Sequence, residues 1–436
     1  MKAAQTVAEV IAEELKVAGV EYVYGLPGGE NVQLLDAIRR VGIHYVLVHH
    51  ESSAVFMADV DARLTGKPGV CMTTLGPGAS NAMAGLAHAH LDRAPVLIIT
   101  PQIPSDHLPD ETHQYVDIAA MYSPITKGSF QLTSQNARAS IRNALAIIRE
   151  GRPGPVHLQV TNEEAAKPAV ESPSGSDQPV HFQFAQKDLA PAQHILSGSR
   201  RPVILAGLGL EPERPYRELV AFAEAARAPV ICTPKAKGCI SDDHPLAGGV
   251  IGLTRTDPAY EILDQADAIV AVGFDVVELV KTWDYAVPLI WVAQWENREP
   301  VIKSDAEFVG PVIPVLAELS KVEWETAPDW GQARIASHRA KLAGQKLPAP
   351  AQGRMLPHQA LDAVRRETER DVIFTTDVGS HKILSCLNWQ TFAPNSFFVS
   401  NGLSSMGFGL PAAIAASMIH PERPVVCLIG DGGLLM

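Results

Sequence analysis

The sequence predicts an α/β protein made of three-layer, doubly wound parallel-sheet domains. Three observations predict it. Short β-branched runs alternate with helix-length amphipathic runs, the pattern of strands joined by crossover helices. Four glycine-containing turns, Tyr24–Gly29, Gly76–Asn81, Gly402–Gly409 and Gly430–Gly433, each lie at a strand end. Two stretches rich in Pro, Ser, Ala or charge, Glu163–Lys187 and Leu347–Pro357, interrupt the alternation and read as linkers. At 436 residues the chain exceeds what one core serves. The expected units are 1–165, 188–346 (Rossmann-like) and 354–436, the last holding only the N-terminal half of a domain.

Thr6-Val7-Ala8-Glu9 has capping-box spacing, and Val7, Val10, Ile11 and Leu15 fall on one helical face. Gly19 ends that helix. Strands follow at Val20–Tyr24 and Ile43–Val48, the second leading through His49-His50-Glu51 into a helix over Ser52–Leu64. A buried-type strand, Gly69–Thr74, precedes Leu75-Gly76-Pro77-Gly78-Ala79-Ser80-Asn81, then a small-residue helix and the strand Pro95–Thr100. The second unit carries strands Pro202–Ala206, Pro229–Thr233 and Ala268–Val272 and a helix Tyr216–Ala226. Its Gly207-Leu208-Gly209 starts like a dinucleotide turn, but Pro212 stands where the third glycine belongs, so a plain strand-to-loop turn is expected. The third unit has a helix His358–Thr368, strands Val372–Thr375, Phe397–Ser400 and Val425–Ile429, and a helix through Ile419.

Composition excludes several classes. With 46% hydrophobic and 19% charged residues the chain is an ordinary globular one. A net charge of -12 argues against nucleic acid or an anionic membrane as partner. No apolar run reaches the eighteen or so residues of a membrane span, and no signal peptide precedes Thr6. Five scattered cysteines without a C-x-x-C pair suggest reduced thiols, so a cytoplasmic protein is expected.

Ligands of parallel sheets bind beyond the carboxyl ends of the strands, where Gly25–Gly29, Glu51 and Gly76–Asn81 should gather. Glu51 there is hemmed in by apolar neighbours. Its pKa should rise, so that it can share a proton with a ligand nitrogen. An acidic residue also favours a helix N-terminus electrostatically. The residues alone leave both roles open.

Taken together, the glycine turns and Glu51 resemble the thiamine-diphosphate-dependent decarboxylase and acetolactate synthase family, in its order of pyrimidine-binding, central and diphosphate-binding domains. Under that resemblance Glu51 hydrogen-bonds the aminopyrimidine ring of thiamine diphosphate, with Pro27, Gly28, Gly76, Pro77, Gly78 and Asn81 around it. Val378, Gly379, Ser380 and His381, with Gly430, Gly432 and Gly433, approach the diphosphate, and Asp431 is the Mg2+ ligand. Met406 wedges the two cofactor rings into a bent geometry, and the backbone of Gly402 and Ser404 accepts from the pyrimidine amino group. Thr112-His113-Gln114, Gly273-Phe274-Asp275-x-x-Glu278 and Gly379-Ser380-His381 resemble the catabolic, flavin-independent acetolactate synthases, which places Gln114 at the cofactor and makes FAD unlikely.

The implied reaction is decarboxylation of pyruvate and addition of the remaining two carbons to a second pyruvate, giving 2-acetolactate. The implied assembly is a homodimer or homotetramer with sites between chains. His49, where Arg is common, Ser52-Ser53 and the run from Lys382 depart from the family pattern and leave other 2-oxo-acid decarboxylases or lyases open. The family completes its metal site beyond the Gly-Asp-Gly motif. The chain is therefore expected to be a fragment of a longer enzyme, with a non-catalytic relative as the other reading.

Overall fold

The computed structural model describes residues 4–107, 110, 112–170, 189–345 and 351–436. Positions 171–187 and 347–350 of the two expected linkers lie outside the described residues, as do the expected domain limits 188 and 346. The described residues fall into two compact units. One holds those up to 170 with Gly402–Pro421 and Gly432–Met436; the other holds those from 189 to Asn401 with Glu422–Asp431.

The first unit contains β1 (Tyr22–Gly25), β2 (His44–Leu47), β3 (Gly69–Met72), β4 (Val96–Pro101), β5 (Ser129–Leu132) and β6 (Val156–Val160). They form one sheet in the order β2-β1-β3-β4-β6-β5, with every pair parallel. β3 and β4 are buried along their whole length, as continuous apolar runs require. β5 and β6 escape the apolar pattern, because β5 is a polar edge strand and β6 carries His157 in its interior.

The helix Val7–Val17 starts with the expected reciprocal cap: Thr6 N–H donates to Glu9 Oε2 at 2.9 Å and Glu9 N–H to Thr6 Oγ1 at 3.2 Å. Its apolar face joins Val23, Ile38, Leu97 and Leu158 in the core. The helix Glu51–Thr65 is different. It is buried on nearly every side, between the sheet and the helices Met83–Leu91 and Gly409–Ile419.

The second unit contains β7 (Pro202–Ala206), β8 (Val230–Cys232), β9 (Ala247–Val250), β10 (Ala268–Val272), β11 (Leu289–Ala293) and β12 (Ala306–Val309). Their order, β12-β11-β10-β7-β8-β9, reverses direction between β7 and β10, the Rossmann arrangement. A three-stranded sheet, β14-β13-β15, follows from β13 (Ile373–Thr376), β14 (Phe397–Val399) and β15 (Val425–Leu428). All pairs in both sheets are again parallel. All five cysteines are free thiols, four of them buried. Among the described residues no helix is long and apolar enough to cross a membrane.

Candidate active site

Glu51 is the first residue of its helix, three positions past the buried Val48 that follows β2. The His50 imidazole caps the helix, its Nδ1 accepting from Ser52 N–H at 3.2 Å. Ser52 Oγ donates to Asn81 O at 2.6 Å and accepts from Gly85 N–H at 3.3 Å, which ties the helix start to the Gly76–Asn81 turn. Glu51 is only 5% exposed, and its carboxylate has no hydrogen-bond or ion-pair partner among the described residues. A buried polar group without a partner is costly, and functional sites are where such groups persist.

The glycines around it are there because a side chain has no room. Thr74, just past β3, stands between two of them. A Cβ on Gly28 would lie 2.4 Å from Thr74 Cγ2, and one on Gly78 would lie 2.3 Å from Thr74 Oγ1 and 3.2 Å from Glu51 Oε1. Gly76 has φ +48°, and a Cβ there would meet Gln114 O at 2.3 Å. Gln114 itself has φ +61° and is exposed. It borders a cavity of about 580 Å3 with Glu30, Leu75, Gln102 and His113. Pro27 and Pro77 are exposed beside these turns, and Asn81 contributes its backbone carbonyl. The Tyr45 hydroxyl is buried without a hydrogen-bond partner, and a Cβ on Gly25 would reach it at 2.7 Å. Burial, with Cys71 and Glu51 nearby, pushes that phenol above its usual pKa.

The loop Gly402–Gly407 belongs to the same unit. Ser404 takes φ +54°, and Met406, 40% exposed, lines a cavity of about 570 Å3 with His50, Ser52, Ser53 and Phe56. A Cβ on Gly432 would touch Met406 Cε at 2.9 Å.

In the second unit, Val378 and Gly379 follow β13, and Gly379 precedes the helix Ser380–Asn388, whose first N–H groups lack a side-chain cap. His381 Nε2 is buried without a hydrogen-bond partner. A Cβ on Gly430, just past β15, would stand 3.3 Å from His381 Cε1. The exposed Asp431 opens the short helix Asp431–Leu434, which Gly433 enters as a buried residue. At the end of β7 the Gly207–Leu210 donors are already engaged. Gly207 N–H donates to Val272 O, Leu208 N–H to Glu278 Oε2 at 2.9 Å and Gly209 N–H to Gly273 O at 2.7 Å. Glu278 also accepts from Thr233 Oγ1 at 2.7 Å and Lys235 N–H at 3.3 Å. Burial outweighs these bonds and pushes its pKa up to about 7.

Comparison with known proteins shows the family. Three family models match in order: the thiamine pyrophosphate enzyme N-terminal TPP binding domain over residues 5–121, the central domain over 189–318 and the C-terminal TPP binding domain over 377–436. The chain belongs to the thiamine pyrophosphate enzyme family. It is 31% identical to a probable acetolactate synthase large subunit of Methanocaldococcus jannaschii, over 98% of this chain and 76% of that protein. It is 32% identical to the acetolactate synthase isozyme 1 large subunit of Escherichia coli, over 99% of this chain and 78% of that protein. It is 29% identical to the acetolactate synthase large subunit of Lactococcus lactis, over 98% and 76%.

The residues present fit the family's cofactor on two counts. A buried carboxylate without a partner faces the N-terminal turns, and a buried imidazole nitrogen without a partner lies beside Gly430. Within the first unit the structure brings Gly28, Glu51 and Gly78 together around Thr74, and Gly76 against Gln114. Sequence reading missed Thr74, although it is the last residue of the strand predicted over Gly69–Thr74. It also missed Tyr45 and the buried group of Asp59, His88 and Asp92. Asp431 joins no such group of three possible metal ligands among the described residues.

Proposed function

We propose that this protein is a thiamine-diphosphate- and Mg2+-dependent enzyme that condenses two pyruvate molecules to 2-acetolactate with release of CO2. The observation that carries the reading is the unpartnered, buried Glu51 carboxylate among glycine turns at strand ends. Thiamine diphosphate, when bound, supplies the electron sink that decarboxylation of a 2-oxo acid requires. Glu51 would hold a proton at a ring nitrogen, which only a carboxylate kept out of water does strongly. Pro27, Gly28, Gly76, Pro77, Gly78 and Asn81 form the walls around it, and their lack of bulk admits a flat ring. His381 Nε2 and the N–H groups opening the helix Ser380–Asn388 would donate to the diphosphate, with Val378 and Gly379 leading into them. The backbones of Gly430, Gly432 and Gly433 would approach it as well. Asp431 would give Mg2+ one hard oxygen.

Met406, with the Gly402 and Ser404 backbone, would hold the ring's other face. Gln114 would orient the substrate from the neighbouring cavity. The engaged Gly207–Leu210 donors favour a central unit that takes no dinucleotide, and hence no FAD. A symmetric homodimer, or a pair of them, is the assembly proposed.

The departures at His49, Ser52, Ser53 and Lys382 favour keeping a second reading, a decarboxylase or lyase for another 2-oxo acid. Titrating thiamine diphosphate with Mg2+ against thermal unfolding tests the cofactor. At one hundred times Kd, binding stabilises by about 2.7 kcal/mol. Glu51→Gln should lose most of that gain. Pyruvate turnover, with acetolactate and acetaldehyde measured separately, tests the reaction: acetaldehyde alone supports the second reading. No stabilisation of the wild type by the cofactor would overturn both and leave a non-catalytic relative.

A further inference from the structure

Glu51 and the Gly76–Asn81 turn belong to the same unit, and Ser52 ties the helix of Glu51 to the turn at Asn81. The stretch Gly76–Ala79, which carries Gly78 beside Glu51 Oε1, is gripped elsewhere, by the segment Gln102–Tyr122.

Gln102 is the first residue past β4 and is 8% exposed. Its Oε1 accepts from Ile103 N–H at 2.9 Å, and its Nε2 donates to Val116 O at 2.9 Å, 14 positions further along the chain. One amide therefore closes a loop of the size at which Ω-loops pack on themselves. Near the end of that loop Gln114 takes φ +61°. A side chain other than glycine keeps such a backbone only where its surroundings hold it. The Gln114 carbonyl oxygen is the atom that a Cβ on Gly76 would meet at 2.3 Å, so the loop backbone packs directly on the start of the turn.

The same segment returns to the turn a second time. Asp117 caps the helix Ile118–Tyr122, its Oδ1 accepting from Ala120 N–H at 2.9 Å. At the other end of that helix Tyr122 is fully buried, with its ring edge-on to His157 at 4.9 Å. Its hydroxyl donates to Ala79 O at 2.6 Å. Burial, with Cys71 and Glu51 nearby, pushes that phenol well above its ordinary pKa and keeps it a donor. The contacts at Gly76 and Ala79 bracket Gly78.

We propose that Gln102 and Tyr122 are positioning residues that grip the Gly76–Asn81 turn on either side of Gly78 and so set its spacing from Glu51. Every group involved lies in the first unit, so the grip acts on the half-site that holds Glu51, whichever chain supplies the other half. Its purpose rests on the cofactor reading above, in which Glu51 and this turn receive the flat ring.

The test begins with hydrogen exchange on the full chain without cofactor. Gly78, Ser80 and Ala82 N–H donate to Leu75, Gly76 and Gly78 O, and these three amides report on the turn. Tyr122→Phe, which keeps the ring against His157, should speed their exchange about fivefold, the scale of one lost hydrogen bond. Gln102→Met should do the same. Gln102→Glu, which keeps an acceptor for Ile103 N–H but has no donor for Val116 O, should match Gln102→Met. Peptides of the helix Val7–Val17 should keep their protection. Should Gln102→Met fail to fold, Tyr122→Phe decides. Titration with Mg2+ present then separates ring from phosphate: the Kd of thiamine diphosphate should rise about fivefold in each variant, while that of inorganic pyrophosphate, which has no ring, should stay as in the wild type.

Unchanged exchange at the three amides, or acceleration spread evenly over the unit, would overturn the proposal. So would a Gln102→Glu protein that behaves as the wild type, or equal weakening of both ligands. A wild type that binds neither ligand would end the cofactor reading, with the exchange comparison still deciding the grip.

Discussion

Thr74 makes a prediction whose sign reverses with background. Its methyl fills the space beside Gly28 and its hydroxyl the space beside Gly78. In Gly78→Ala the new Cβ stands 2.3 Å from Thr74 Oγ1, more than 1 Å inside ordinary contact. Thr74 cannot simply rotate, because that would swing a branch into Gly28. Overpacking of this kind costs about 1–3 kcal/mol. Against it, Gly78 lies within the helix Pro77–Asn81, where Ala is favoured over Gly by about 1 kcal/mol. The net loss should be about 1 kcal/mol, with the upper range set by how far Glu51 Oε1, 3.2 Å from the new Cβ, must retreat. In a Thr74→Ala background the hydroxyl is gone and the helix preference remains, so Gly78→Ala should become neutral or stabilising. The coupling energy should be about 1–2 kcal/mol, well beyond the additivity error of separated sites. Gly29→Ala, where a Cβ would meet nothing within 4 Å, is the control. Urea unfolding of the four proteins of the cycle, with cofactor titration alongside, measures it. Equal effects of Gly78→Ala in both backgrounds would refute the wedge.

Three further outcomes follow from buried groups. His381→Phe should weaken thiamine diphosphate binding about tenfold by removing a buried donor, with little effect on the apo protein's unfolding midpoint; isothermal titration and urea unfolding separate the two. His157, held neutral between Thr100 Oγ1 at 2.8 Å and Ser129 Oγ at 2.7 Å, has its pKa pushed down to about 3 by burial. The unfolded chain then binds the extra proton, so stability is full above about pH 6.5 and falls as pH drops toward 3, by up to about 5 kcal/mol; His157→Gln should flatten that slope in acid unfolding. Glu278 runs the other way. Its folded pKa of about 7 exceeds the usual carboxylate value of 4.5, so its contribution is full below pH 4.5 and is lost as pH rises through 7, by up to about 3 kcal/mol. Glu278→Gln should remove that alkaline loss in the second unit, read by hydrogen exchange of β7 and β8 against pH.

What the sequence made legible is what depends on one element at a time. β7 and β10 coincide with their predicted limits because a strand covered on both faces must be a continuous apolar run. Glu51 stood out because a charge between an apolar strand and an apolar helix conflicts with its surroundings. β6 was hidden because His157 sits inside it, stabilised by two hydroxyls from β4 and β5 that no local pattern reveals. Thr74, His88 and Glu278 were missed or seen only by resemblance for the same reason. Each acts on neighbours that strand order brings close, not ones adjacent in the chain. Thr74 meets Gly28 because β1 lies beside β3, and Glu278 meets Leu208 because β10 lies beside β7. The glycines, by contrast, were visible but unexplained. A glycine announces that something comes close without saying what. Here the approaching groups are a threonine wedge, a glutamine carbonyl and an imidazole, so substitutions at the partner residues, more than at the glycines themselves, will tell which turns are shaped for a ligand and which only for packing.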